Sequence, residues 1–217
     1  MKICLLALTL LLANMAPAQS PAPAAPCDLT RLPAGTPTRI VRGVDPSPFH
    51  YACEPKSGCV ASQLFPGQIV VLGPQRDGWA CVSHNADSGW TPASSLAPIP
   101  ADPTIPLADW LGAWSKFLEI PARTDDHFDI TPGASPGSLH IAGRAFWFGR
   151  PGNAHLGGVN AEAAPVGLYV HFVEGANLSG CILDLKFEPA THTISAFDNH
   201  RCGGMHVSFS GTWMRPR

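Results

Sequence analysis

The sequence predicts an all-β protein of two modules in succession, the second of them an antiparallel barrel or sandwich. Three observations point there. The 23 prolines and 21 glycines make up about a fifth of the 217 residues, and only 14% are charged, which breaks helices and denies them solvent faces. Short runs alternate apolar and polar residues between turn signals. Two proline-rich stretches, QSPAPAAP at 19–26 and APIPADPTIP at 97–106, cannot pack a core and mark linkers.

The N-terminus reads as an export leader. Lys2 supplies the positive start, Ile3 to Leu12 the apolar stretch, and Ala16-Pro17-Ala18 the small residues at a cleavage site. A leader of residues 1–18 places the mature chain in the periplasm or outside the cell. No later apolar run approaches the length of a membrane helix, so no stable membrane insertion is expected after its removal. Seven cysteines less Cys4, which leaves with the leader, give six. An even number in an exported chain reads as disulfides. Cys181 and Cys202, alone in the C-terminal half, pair with each other. Cys53–Cys59 with Cys27–Cys81 is the preferred arrangement for the rest. Zinc held by these four is the alternative, and no C-x2-C knuckle favours it. The net charge of −2 offers no footprint for nucleic acid.

After a linker at 19–34, the first module spans 35–97. Thr38 to Arg42 is a candidate strand, and Gln68 to Gly73 a stronger one entered through Pro66-Gly67. Asp77-Gly78 is a hairpin signal. Trp79 to Ser83 follows, Asn85 to Gly89 turns the chain, and Trp90 starts a short strand. Pro92 argues that this last strand is an edge. The run PGQIVVLGPQRDGWACVSHNADSGWTPASSL resembles a bacterial SH3-like (SH3b) domain, on Val71-Leu72, Gly78-Trp79, Gly89-Trp90 and Leu96. That resemblance implies a small barrel that binds cell-wall peptides or glycans and does not catalyse. Its groove would use Trp79 and Trp90, with Tyr51 and His84 as neighbours.

A linker at 98–106 leads to the second module, 107–217. Leu107, Trp110, Leu111 and Trp114 fall at helical spacing, so a short helix can precede the first strand. Strands are expected at 112–120, 128–131, 138–148, 167–173, 181–187, 191–197 and 205–213, with turns at Pro132-Gly133 and Gly157-Gly158. Up-and-down strands after Leu-Gly-Ala-Trp are similar to lipocalin-like barrels at the level of fold. The closing AFDNHRCGGMHVSFSGTWMR resembles a C-terminal β module of exported bacterial proteins, some of them lysozyme-inhibitor-like, on Asp198-Asn199, Cys202-Gly203-Gly204, Phe209, Gly211 and Trp213. His206 and Trp213 depart from that pattern, where asparagine and tyrosine are usual. Physically the motif reads as structural: Asp198 and Asn199 turn the chain, and Cys202 ties it to the Cys181 strand.

Little in the chain reads as catalysis. The run Asp125-Asp126-His127-Phe128-Asp129 points its side chains in different directions and reads as a solvated turn. The nine histidines lack a helical i, i+4 pair. A pair such as His192 and His206, meeting across strands, is the metal alternative. Glu119, Glu162, Glu174 and Glu188 lie in no glycosidase frame. Trp114, Trp147 and Trp213 read as core, and Trp79 and Trp90 as core or groove. The expectation is an envelope-binding protein without a cofactor, whose partner is peptidoglycan or an envelope protein. An inhibitor of a secreted hydrolase such as lysozyme is the alternative.

Overall fold

A computed structural model describes residues 26–29, 32, 38–51, 61–84, 87–117, 126–150 and 152–216. The leader, most of the first linker and the expected Cys53–Cys59 bridge lie outside them. The chain is all β: a curled antiparallel half-barrel is followed by a nearly closed antiparallel barrel. Among the described residues no helix is long and apolar enough to cross a membrane.

The half-barrel contains β1 (Thr38–Val41), β2 (Ser47–Tyr51), β3 (Ala61–Leu64), β4 (Ile69–Arg76), β5 (Trp79–His84), β6 (Asp87–Pro92) and β7 (Leu96–Ala97). They lie in the order β3-β2-β6-β5-β4-β1-β7. Alternation puts Val41, Phe49, Leu64, Val70, Ala80 and Val82 on the concave face, where they form one core. Trp79, Cys81 and Trp90 face the other way, and Cys27 and Leu29 cover them. The Cys27–Cys81 disulfide ties that cover down, so these two cysteines are not zinc ligands. Closing a loop with a sequence separation of 54 contributes about 4 kcal/mol in the chain-entropy model.

Proline does not make β6 an edge; it lies between β2 and β5. Pairing with β2 involves only Trp90 and Gly89, so the strand has left that ladder before Pro92. Beside it the Thr91 hydroxyl donates to Pro48 O at 2.9 Å, taking a carbonyl that a ladder N–H would otherwise reach. Strand β2 itself, with Pro46 before it and Pro48 within it, carries no usable alternation signal.

The second module opens with the short helix α1 (Leu107–Trp110), as the helical spacing allowed. Its barrel contains β8 (Gly112–Lys116), β9 (His127–Pro132), β10 (Leu139–Phe148), β11 (Ala154–Ala163), β12 (Tyr169–Val173), β13 (Ile182–Glu188), β14 (Thr193–Asp198) and β15 (Gly211–Met214). The spatial order is β11-β10-β9-β8-β15-β14-β13-β12. Every neighbour except the β8–β15 pair is consecutive in sequence, so this is an up-and-down meander closed by its first and last strands. The open seam falls between β11 and β12. Aromatic rings fill the interior: Trp110, Trp114, Phe128, Phe172, Phe187, Phe209 and Trp213 are fully buried. Two indoles are satisfied alike, Trp114 Nε1 donating to Trp110 O at 2.9 Å and Trp213 Nε1 to Phe209 O at 2.8 Å.

The seam explains two departures from the expected strands. Gly157-Gly158 is not a turn but the middle of β11, and residues 205–210 are irregular. The segment after Asp198 crosses the seam and bonds to β11: Gly158 N donates to Cys202 O at 2.8 Å and Gly204 N to Leu156 O at 3.2 Å. Gly157 and Gly203 meet backbone to backbone, and a methyl group on either would overlap the other's Cα. Asp198 anchors the segment, accepting from Phe209 N at 2.8 Å, Ser208 Oγ at 3.0 Å and Ser210 Oγ at 2.9 Å. Asn199 accepts from Ile182 N at 3.0 Å and donates to Gly180 O at 2.8 Å. The Cys181–Cys202 disulfide fixes the far side.

Asp126 is a further correction. It is buried rather than solvated, because its Oδ1 accepts from Phe146 N at 2.7 Å.

The seam contact generates a paired prediction. Gly157→Ala lowers the unfolding free energy in urea by about 1–3 kcal/mol through overpacking. Gly158→Ala meets nothing nearer than Gly143 O at 3.6 Å and stays within about 0.5 kcal/mol of the parent. Equal effects of the two would contradict the close approach.

Candidate functional site

The modules pack through the convex side of the half-barrel and the outer face of β12–β14. Val71 of β4 packs with Leu178 and Ile182, backed by Leu32 and Val173. Leu178 N donates to Leu32 O at 3.1 Å across the junction. Beside this contact a cleft of about 330 Å³ opens, the candidate functional site. An apolar recess bordered by a few convergent polar groups is the usual form of a ligand site.

Strand period builds the cleft's second wall. Residues 183, 185 and 187 of β13 face the barrel core, so Asp184, Lys186 and Glu188 face outward. Register sets Tyr169 opposite Lys186, His171 opposite Asp184, Lys186 opposite Ser195 and Asp184 opposite Phe197. The first module contributes Phe65, Pro66, Gly67, Gln68, Ile69 and His84. Phe65 is 52% exposed and Phe197 49%, so two large apolar rings are held toward water. The Pro66-Gly67 turn fixes the Phe65 end, with Gln68 Oε1 accepting from Phe65 N at 2.8 Å.

The polar groups pair with one another. Lys186 Nζ lies 2.9 Å from Glu188 Oε1. His171 Nδ1 lies 2.6 Å from Asp184 Oδ1. His84 Nδ1 lies 3.0 Å from Ile69 O. Ser83, His171 and Asp184 have the residue types of a hydrolase triad, but the Ser83 hydroxyl donates to Asp87 O at 3.1 Å instead of to the imidazole.

Of the residues expected to bind, His84 lines the cleft. Trp79 and Trp90, each 5% exposed, are buried with Cys27, Leu29 and Cys81 and line no open groove. His50 packs edge-on to Trp79 with centroids 5.3 Å apart. Tyr51 ends β2, with its backbone opposite Gly89. His192 and His206 do not meet: the first packs on Phe187 and the second on Trp147. Among the described residues no three of His, Cys, Asp and Glu gather to hold a metal.

Phe65, Tyr169, Lys186 and Phe197 were not singled out from the sequence. Phe197 carried a signal, because Ile194 and Ala196 define the inward phase of β14 and the phenylalanine falls out of phase with them. Phe65 carried none beyond preceding a turn.

Fold and site together define a two-module, disulfide-tied β protein with an apolar cleft at the module junction. The two disulfides among the described residues point to an oxidising, extracytoplasmic environment. Comparison with protein-family models, curated proteins and solved structures finds no match.

One carboxylate stands apart from the cleft. Glu162 is held at about 2, against an ordinary 4.5, first by the Ser138 hydroxyl and then by the Ser135 and Ala134 amides. The Ser138 Oγ to Glu162 Oε1 distance is 2.5 Å. A depressed value means that the ionised form stabilises the fold above pH 4.5. That contribution is lost as pH falls through 4.5 toward 2. Glu162→Gln therefore flattens the acid limb of the urea midpoint between those values and leaves its slope at neutral pH unchanged. An acid limb identical to the parent's would contradict the assignment.

Proposed function

We infer that the protein is a non-catalytic, exported binding protein of the bacterial cell envelope that holds its ligand in the cleft between its two modules. The observation that carries this reading is the pair of exposed rings, Phe65 and Phe197, set across an apolar recess that also includes Tyr169. Large rings at the rim of a desolvated pocket are the usual anchors of recognition. The cleft's charged groups are paired internally, which suits holding a ligand better than moving its protons. The resemblance of the first module to SH3-like wall-binding domains supports peptidoglycan, or an envelope protein, as the partner. The leader and the disulfides agree with the periplasm or the outside of the cell. The binding surface proposed is the cleft with His84, not the buried Trp79 and Trp90.

A second reading is inhibition of a secreted wall hydrolase such as lysozyme. The hairpin of β10 and β11 favours it, because Phe148 and Leu156 stand exposed at its end, 56% and 61%, next to Arg150 at the turn. A hairpin presenting apolar and cationic groups is a form that can enter an active-site groove.

Sedimentation with purified peptidoglycan separates the two. Retention of the mature protein falls at least about tenfold in a Phe65→Ala, Phe197→Ala double variant, a loss typical of removing anchor residues. Undiminished retention would remove the cleft as the site. Loss of hydrolase activity on adding the protein, abolished by Phe148→Ser with Leu156→Ser, would establish the second reading.

A further inference from the structure

The inward phase of β10 is taken by Leu139, Ile141 and Ala145, and that of β11 by Gly157, Val159 and Ala161. Phe146, Phe148 and Leu156 therefore face outward at the end of the β10–β11 hairpin. Register sets Phe146 opposite Leu156, and the Phe148 ring lies parallel to Phe146 with centroids 5.9 Å apart. Phe148 and Leu156 are each more than half exposed. Met205, on the seam segment beside them, is 70% exposed; its neighbour Gly204 donates through N to Leu156 O, and its own carbonyl meets His155 Nδ1. The half-buried Trp147 lies between His155 and His206, with centroids 5.1 and 4.8 Å away.

Charge around this hairpin end is one-sided. The Arg144 guanidinium lies 5.9 Å from the centroid of the Phe146 ring. Arg150 stands in the turn, where its carbonyl accepts from Asn153 N at 2.9 Å, and both arginines are exposed. The chain has 16 acidic residues against 14 basic ones, yet no Asp or Glu occurs in residues 131–161, which cover β10 and most of β11, or in 199–217, which include the seam segment. Asp126, beside Phe146, is buried and accepts from Phe146 N at 2.7 Å.

We propose that this hairpin end docks on a membrane surface, with Phe148, Leu156 and Met205 entering the interface of an anionic phospholipid bilayer and Arg144 and Arg150 pairing with its phosphates. Binding to a bilayer interface grows with the apolar area buried and with the attraction of cations to anionic lipid. An indole and phenyl rings suit the headgroup level, and a guanidinium pairs with phosphate through two donors at once. A protein partner has to match a projecting hairpin end in shape, whereas a fluid bilayer yields to it. The contact is peripheral, since a hairpin end and not a spanning segment enters the interface. It goes beyond the cleft reading and does not depend on it, and it competes with the hydrolase reading for the same hairpin.

The test is co-sedimentation of the mature, disulfide-bonded protein with sucrose-loaded vesicles of phosphatidylcholine and phosphatidylglycerol in equal parts, against phosphatidylcholine alone. Binding to the anionic vesicles exceeds that to the neutral ones at least about tenfold and falls as salt is raised. Phe148→Ser with Leu156→Ser weakens it at least about tenfold. Arg144→Gln with Arg150→Gln weakens it about fivefold per arginine removed. Phe65→Ala with Phe197→Ala, in the cleft, leaves it unchanged, and circular dichroism establishes that each variant is folded. Absence of binding to the anionic vesicles would overturn the proposal, as would equal binding to the neutral ones or binding that survives Phe148→Ser with Leu156→Ser. Hydrolase inhibition by a protein that binds no vesicles would overturn it in favour of an enzyme at the hairpin. Peptidoglycan retention of the Phe148→Ser, Leu156→Ser variant stays at the parent level, so this proposal and the cleft reading fail separately.

Discussion

A meander of eight strands must meet itself or leave two edges open, and this barrel meets itself over a pair of glycines. First and last strands pair through Trp213 with Lys116 and Met214 with Ser115. At the opposite seam β11 and β12 do not pair with each other. The chain after Asp198 fills it, lying against β11 where Gly157 and Gly203 leave space for nothing but backbone. An unfilled seam would expose two rows of unpaired amides and carbonyls, which is costly and invites aggregation. The Asp198 and Asn199 side chains and the Cys181–Cys202 disulfide position that filling segment, so the motif D-N-x-x-C-G-G acts as a clasp. Its disulfide, with a sequence separation of 21, contributes roughly 3 kcal/mol in the chain-entropy model.

Closure also produces the surface that borders the cleft. Rings pack the barrel interior, and the outer residues of β12–β14 become a platform. The half-barrel docks on that platform through Val71, and the part it does not cover is the cleft. The other convex surface of the half-barrel is occupied as well, since Cys27 and Leu29 lie over Trp79 and Trp90. Two patches on the outside of the half-barrel are thus covered, one by the N-terminal segment and one by the second module. The His171–Asp184 pair sits at the junction with one nitrogen unspent, which gives that contact a chemical character beyond packing.

Much of the fold was legible because strand period and turn chemistry are local. The alternation in SLHIAGRAFWF places β10, and Asp77-Gly78 places the β4–β5 turn, without reference to the rest of the chain. The pairing of Cys181 with Cys202 followed from there being no other cysteine nearby. Residues whose role depends on distant partners were not legible. Gly157-Gly158 has the composition of a turn, and only the crossing of Cys202 and Gly203 shows why β11 needs glycine there. Asp126 has the composition of a solvated loop, and only the amide of Phe146 shows why it is buried. The cleft was the least visible feature, because its walls come from two modules and its register pairs join residues far apart in sequence. Aromatic content alone drew attention to Trp79 and Trp90, which the N-terminal segment covers. The out-of-phase Phe197 is the residue whose position in the sequence pattern marks a wall of the cleft.

Native-state hydrogen exchange on the amides that cross the seam tests the clasp most directly. In the parent protein the Gly158 and Gly204 amides, bonded to Cys202 O and Leu156 O, exchange as slowly as those of the β9–β10 ladder. With Cys181→Ser and Cys202→Ser together, the account predicts that these two amides lose protection while the β9–β10 amides keep theirs. Gly158 and Gly204 amides as protected in that variant as in the parent would contradict it.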